Sequence, residues 1–233
     1  MSAHYPVVRG VGAFGFSAAS ITNHIIGGTS GISEDGDLIL IFLHSANQAF
    51  TAPAGGGYLA LPSSPQSTGA AGVGGGVRLT IFYKISNGTE TTYVTGDSGD
   101  INVVGSLVIG NVDRINPINV TAGGVSAANA TITWSSVTTT RPECMIINAA
   151  AFDRDANSEP FISAITNANL ANITQRYNRV VSTQSGGGLG VWTSQKGTIG
   201  ATGATTGTQP APTAAYTQIT FAIAPLRRRI AVT

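Results

Sequence analysis

Leu38-Ile39-Leu40-Ile41-Phe42-Leu43 is an unbroken apolar run, with Asp35-Gly36-Asp37 before it and His44-Ser45-Ala46-Asn47-Gln48 after it. Such a run is too short for a typical core helix and far too short to span a bilayer. It predicts a β-strand covered on both faces, at the centre of a sandwich. Its expected partner is residues 77–85. There Val77, Leu79, Ile81, Tyr83 and Ile85 fall on one face and Arg78, Thr80, Phe82 and Lys84 on the other, the period of two that marks a strand. Asn87-Gly88 follows, a strong hairpin signal, and leads to a strand at 90–95. A second buried strand, comparable to the first, is predicted at 143–152. Further strands are expected at 101–109, 116–120, 130–134, 173–181, 189–192 and 216–223.

Short opening strands are predicted at 5–9, 11–16 and 20–26. Gly10, Gly12 and Gly15 place the first two at an edge or a subunit contact. Phe161, Ile162, Ile165 and Ile173 fit one helical face, although Asn167, Asn169 and Asn172 are poor helix formers. Residues 50–76 form the longest irregular section, with Pro53, Pro62, Pro65 and Gly55-Gly56-Gly57. Residues 197–212 read as a Gly/Ala/Thr loop. Ten or more short strands separated by turn signals predict an all-β sandwich or barrel. With neither a linker nor a self-similar repeat in view, residues 1–233 are expected to form one domain. It would have N-terminal edge strands within 1–26 and a basic C-terminal tail at 226–233.

Composition narrows the function classes. Charged residues are 10% of the 233, against about a quarter in an ordinary soluble domain, and net charge is +1. No global field therefore recruits nucleic acid or a membrane surface. Near-zero net charge invites association, which suits life inside an assembly. The single cysteine, Cys144, excludes an intrachain disulfide and a multi-cysteine zinc site. No window approaches 18 apolar residues, and the opening Met-Ser-Ala-His-Tyr-Pro lacks signal-peptide regions, so synthesis in a cytoplasm is expected.

Candidate chemistry is sparse. Gly96-Asp97-Ser98-Gly99 matches part of the nucleophile loop of chymotrypsin-like proteases, with His44 earlier in the chain. The next residue is Asp100 rather than glycine, and a polar turn between the strands at 90–95 and 101–109 is the reading the segment favours. His4, His24 and His44 lack metal-ligand spacing. Asp35 and Asp37 lack the spacing of a calcium loop, and Gly72–Gly76 lacks the Lys and Ser/Thr of a phosphate loop. Cys144 reads as a small buried hydrophobe. Tyr58 and Trp192 are candidates for stacking on a glycan, with core packing as the competing role. Arg227-Arg228-Arg229 is the one dense charge cluster and a candidate for docking on a partner. No catalytic residue, metal or cofactor is assigned, and an enzyme is not expected.

The order of several segments is similar to that in a family of bacteriophage virion proteins. Gly36-Asp37-Leu38-Ile39-Leu40-Ile41 leads to a Pro/Gly-rich loop, followed by Ile81-Phe82-Tyr83-Lys84, Gly88-Thr89-Glu90 and Val112-Asp113-Arg114-Ile115-Asn116-Pro117-Ile118. Tail-associated and capsid-surface proteins of tailed phages resemble the chain in this layout. The resemblance implies a jelly-roll-like antiparallel β-sandwich with long Gly/Pro-rich loops. It also implies assembly as a homo-oligomer, a trimer being favoured, and attachment to major capsid or tail proteins of a virion. It carries over no active-site residues. Capsid decoration is then the leading expectation, with Phe14, Phe16 and Arg227-Arg228-Arg229 docking on the partner. A tail fibre or receptor-binding tip touching a host-surface glycan is the second, and a carbohydrate-binding module using Tyr58 and Trp192 the third. An enzyme centred on Ser98 is the fourth.

Overall fold

The computed structural model describes residues 4–18, 24–26, 33–96, 99, 101–154, 161–182 and 186–227. Among them strands form throughout and no helix does. Two antiparallel sheets carry the fold. The first contains β1 (Val7–Val11), β4 (Asp35–Ser45), β5 (Leu59–Ala60), β7 (Val77–Asn87) and β9 (Asn102–Gly110), in the order β1-β9-β4-β7-β5. Two short strands extend it, β2 (Gly15–Ser17) on β9 and β6 (Gln66–Thr68) on β7. The second sheet contains β10 (Ile118–Ser126), β13 (Cys144–Phe152), β15 (Ala171–Val181), β16 (Gly187–Lys196) and β19 (Tyr216–Ile223), in the order β10-β19-β13-β16-β15. The main core lies between them, where Leu38, Leu40 and Phe42 meet Ile147, Ala149, Val191 and Phe221.

Both sheets are also covered on their outer faces. Over the first, β3 (His24–Ile25) pairs with β8 (Thr92–Tyr93), and Ile26 and Tyr93 pack on Ile39, Ile41, Leu43 and Phe82. Over the second lies a sheet of β11 (Thr131–Trp134), β14 (Ser163–Thr166) and β18 (Thr205–Thr208), beside the pair β12 (Thr138–Thr139) and β17 (Gly200–Ala201). Ile132 and Trp134 there pack on Phe152, Trp192 and Tyr216. Burial on two faces is why β4 and β13 read as continuous apolar runs rather than alternating ones.

The two sheets have the same winding. Numbered along each half of the chain, the five main strands stand in the order 1-5-2-4-3 in both. The equivalence extends to register. Leu40 is paired with Tyr83 and Leu107, and Ile147 with Thr193 and Phe221. The ladder shifts between Val8 and Gly10 in β1, and likewise between Ile118 and Val120 in β10. Strand β15 corresponds to β5 and β6 together. The covering layers follow suit, because the connection between strands 1 and 2 pairs with that between strands 4 and 5 in each half. The halves pack reciprocally: β16 lies against β4 and β9, while β7 lies against β13 and β19. This is the contact pattern of a two-fold, isologous interface within one chain.

The predicted sandwich is therefore present, and its winding is specific. A jelly roll passes successive strands between its sheets; here each sheet is completed by one half of the chain, and the chain crosses once, between Gly110 and Ile118. No self-similar repeat in the sequence signals this two-fold winding. Residues 161–173, whose spacing predicts a helical face, hold β14 and the start of β15 instead. There Asn167 donates to Thr205 Oγ1 at 2.9 Å, and Asn172 donates to Gln195 Oε1 at 2.6 Å. The segment 197–212 contains β17 and β18, so it is not wholly a loop.

Candidate functional site at the crossover end

Residues 111–117 carry the chain from one sheet to the other, and they are pinned by the segment that follows β19. Asp113 N donates to Ala224 O at 3.0 Å, Ala224 N to Pro117 O at 2.8 Å, and Leu226 N to Asn111 O at 2.8 Å. Asp113 is the hub. Its Oδ1 accepts the amides of Ile115 and Asn116 at 3.0 and 3.2 Å, and its Oδ2 accepts Arg141 Nη1 and Arg227 Nε, each at 2.6 Å. Burial alone would raise this carboxyl; the Arg227, backbone and Arg141 donors outweigh it and hold the pKa down at about 2.

A second charged group adjoins the first. Arg9 bridges Glu34 at 2.5 Å and Asp37 at 3.2 Å. Arg114 binds the Asp35 carboxylate at 2.9 Å and the Asp35 carbonyl at 2.8 Å. Gly36 has φ +84°, and a Cβ there would overlap the Arg114 guanidinium, so both backbone and space require glycine. Two contiguous hollows of about 110 and 190 Å³ open here, sharing Asn111 and Leu226, with His4 and Arg227 on the rim. Ile115 is 80% exposed and Leu226 50%.

The residues named from the sequence scatter. Arg227 is at this end, tied to Asp113, while Arg228 and Arg229 lie outside the described residues. Phe16, also exposed, pairs in register with Val103, seven residues before Gly110 on β9. That separates it from the crossover end by about 23 Å. Phe14 is half-buried, with the Arg179 guanidinium 5.5 Å from its ring centre. Trp192 is 3% exposed and meets Trp134 edge to face at 5.3 Å, so it is a core residue with no ring face for a sugar. Tyr58 packs on the outer-face cluster with Lys84 Nζ 5.5 Å above its ring, and burial first, then Glu90, pushes its hydroxyl up to about 12.

Ser98 and Asp100 lie outside the described residues. His44 is wholly buried against Gly187, where a Cβ would overlap its ring, and burial lowers its pKa to about 4. His24 stacks edge to face on Tyr93 at 4.9 Å. Cys144 is buried, with Sγ 3.3 Å from Arg141 O and its thiol pushed up to about 11 by burial. Among the described residues no group of three His, Cys, Asp or Glu side chains could hold a metal.

Sequence reasoning missed Asp113 as a hub, and the clamp of Lys84 on Glu90 at 2.7 Å. Ser86 Oγ reinforces that clamp, donating to Glu90 Oε2 at 2.6 Å. A signal for Asp113 existed: an aspartate ahead of Asn-Pro invites a side-chain-capped turn. No family model, curated protein or solved structure matches the chain.

Proposed function

We propose that the protein is a structural component of a tailed-phage virion, a decoration protein of the head surface. It assembles with copies of itself as a trimer through the crossover end and docks on the major capsid protein. One observation carries this reading. At that end Asp113 is paired with Arg141 and Asp37 with Arg9, while Ile115 and Leu226 project from the ionic frame into solvent. Apolar side chains held outward on a rigid polar support are what a protein contact uses, an apolar centre inside a polar rim. The layout residues fit the same role. Gly36, Lys84, Glu90, Asp113 and Arg114 all make contacts that brace turns and crossings.

The test is mass spectrometry of gradient-purified particles from a phage lysate of the organism encoding the chain, followed by immunogold labelling. The chain is expected in the particle peak, with gold over heads. Its absence from particles overturns the proposal, and gold at tail tips replaces decoration with a tail-fibre role.

A further inference from the structure

The two-fold relation of the halves exposes one place where they differ. The sandwich has two lateral seams. At one, β6 lies against β10; Ser63 and Thr121 share a hydrogen bond of 2.7 Å, and Gln66 fills the space over Gly123. Leu61, Tyr83, Ile85 and Ile118 pack against the core there and close the seam. At the other, between β1 and β15, a cleft of about 200 Å³ remains.

Register explains the opening. Thr193 occupies the position of Tyr83, Gln195 that of Ile85, and Val8 that of Ile118. Tyr177, paired with Val191, stands where Leu61 stands beside Ile81, and Arg176 is the extra residue of the bulge between Gln175 and Tyr177. Two apolar fillers of one half, Tyr83 and Ile85, are thus hydrogen-bonding side chains in the other. The volume that a tyrosine ring fills on one side is left to solvent on the other.

The cleft is organised by bonds within its wall. Asn172 Nδ2 donates to Gln195 Oε1 at 2.6 Å, and Arg176 Nε donates to Thr193 Oγ1 at 2.9 Å. Val8 and Met145 supply an apolar floor. Arg176 is half-buried and has no carboxylate partner among the described residues; only its Nε is engaged. A cation withdrawn from water without a counter-ion is costly. Its free guanidinium edge matches a carboxylate in two parallel hydrogen bonds.

We propose that this cleft is a binding site for a small hydroxylated carboxylate, a single uronic-acid ring, with Arg176 holding the carboxylate and Thr193, Gln195 and Asn172 meeting the ring hydroxyls. The size agrees, since the cleft is smaller than the roughly 300–1,000 Å³ that holds drug-sized ligands. The cleft shares no lining residue with the hollows of the crossover end, and neither Tyr58 nor Trp192 lines it.

The experiment is amide-shift titration of the whole chain with D-galacturonate, with D-galactose and acetate as controls. Galacturonate is expected to shift resonances of β1, β15 and β16 saturably, with both controls at least tenfold weaker. Arg176→Met is expected to weaken galacturonate binding at least tenfold. Thr193→Tyr, which installs the residue of the closed seam, is expected to abolish it; thermal melting checks that each variant folds. The proposal is overturned by absent shifts, by equal binding of galactose or acetate, or by unchanged binding in a folded Arg176→Met variant.

Discussion

Tyr177, on β15 of the second sheet, lays its ring against Gly105 on β9 of the first, where a Cβ would stand 2.8 Å from the ring. Its hydroxyl donates to the Gly12 carbonyl at 2.6 Å, accepts the Ser106 amide at 3.0 Å, and lies 2.8 Å from the Ser106 carbonyl. It thereby satisfies backbone groups in the gap between β1 and β2, which both pair with β9. Tyr177→Phe leaves the Gly12 carbonyl and the Ser106 amide short of partners, while the Ser106 carbonyl keeps the Gly12 amide. The expected loss is about 1–3 kcal/mol in urea unfolding. A loss below about 0.5 kcal/mol would show that the hydroxyl is not needed to close the gap.

His44 makes stability depend on mild acid. Its folded pKa, lowered to about 4 by burial, lies below the ordinary 6.5. The unfolded chain therefore takes up the proton first. This contribution is complete above pH 6.5 and is lost as pH falls towards 4, amounting to about 3 kcal/mol. His24, also lowered by burial, acts in the same direction. The carboxyls of Glu90 and Asp113, each held at about 2, lose their contribution only below their ordinary values of 4.5 and 3.8. Urea midpoints of the wild type should fall between pH 6.5 and 4.5, whereas His44→Gln should flatten most of that slope. An unchanged slope in the variant would exclude His44 as its source.

Asp113 is worth more than a surface ion pair because it is 2% exposed and serves four donors. Its arginine partners are partly solvated, which limits the effect. Asp113→Ala should destabilise the chain by about 2 kcal/mol. Amide exchange should quicken first at Ile115 and Asn116, and uniform exchange along both sheets would contradict a local role.

If the crossover end is an association surface, its apolar residues govern solution mass. The wild type should scatter as three copies of the 23.7 kDa chain, and Ile115→Asp with Leu226→Asp as one. Both positions are exposed, so melting temperature should change little. A wild-type monomer would remove self-assembly through this surface.

What the sequence revealed and what it hid divide along a physical line. The continuous run 38–43 and the alternation at 77–85 report local burial, and both became strands. Helical spacing among Phe161, Ile162 and Ile165 was misleading, because side-chain bonds from Asn167 and Asn172 fix extended backbone there. Trp192 offered no sign of exposure either way; the layer carrying Trp134 decides it. The repeat was hidden because ladder order and register carry it, whereas identities do not. Phe42 corresponds to Ala149 and His44 to Ala151, pairs that no similarity count would align.

That repeat makes a final prediction. Each half owns a complete five-strand winding, and the joint surface is the apolar inner face of each sheet. Cutting the crossing between Ile115 and Asn116 breaks no strand, keeps the Ile115 amide on Asp113 and turns the Asn116 nitrogen into an ammonium beside the same carboxylate. Chains 1–115 and 116–233, co-expressed with a tag on one only, should co-purify at one to one. Far-ultraviolet circular dichroism of the complex should match the intact protein. Either half alone exposes the inner face and should aggregate. Soluble, folded single halves, or halves that fail to meet when co-expressed, would show that the covalent crossing, rather than the isologous face, holds the sandwich together.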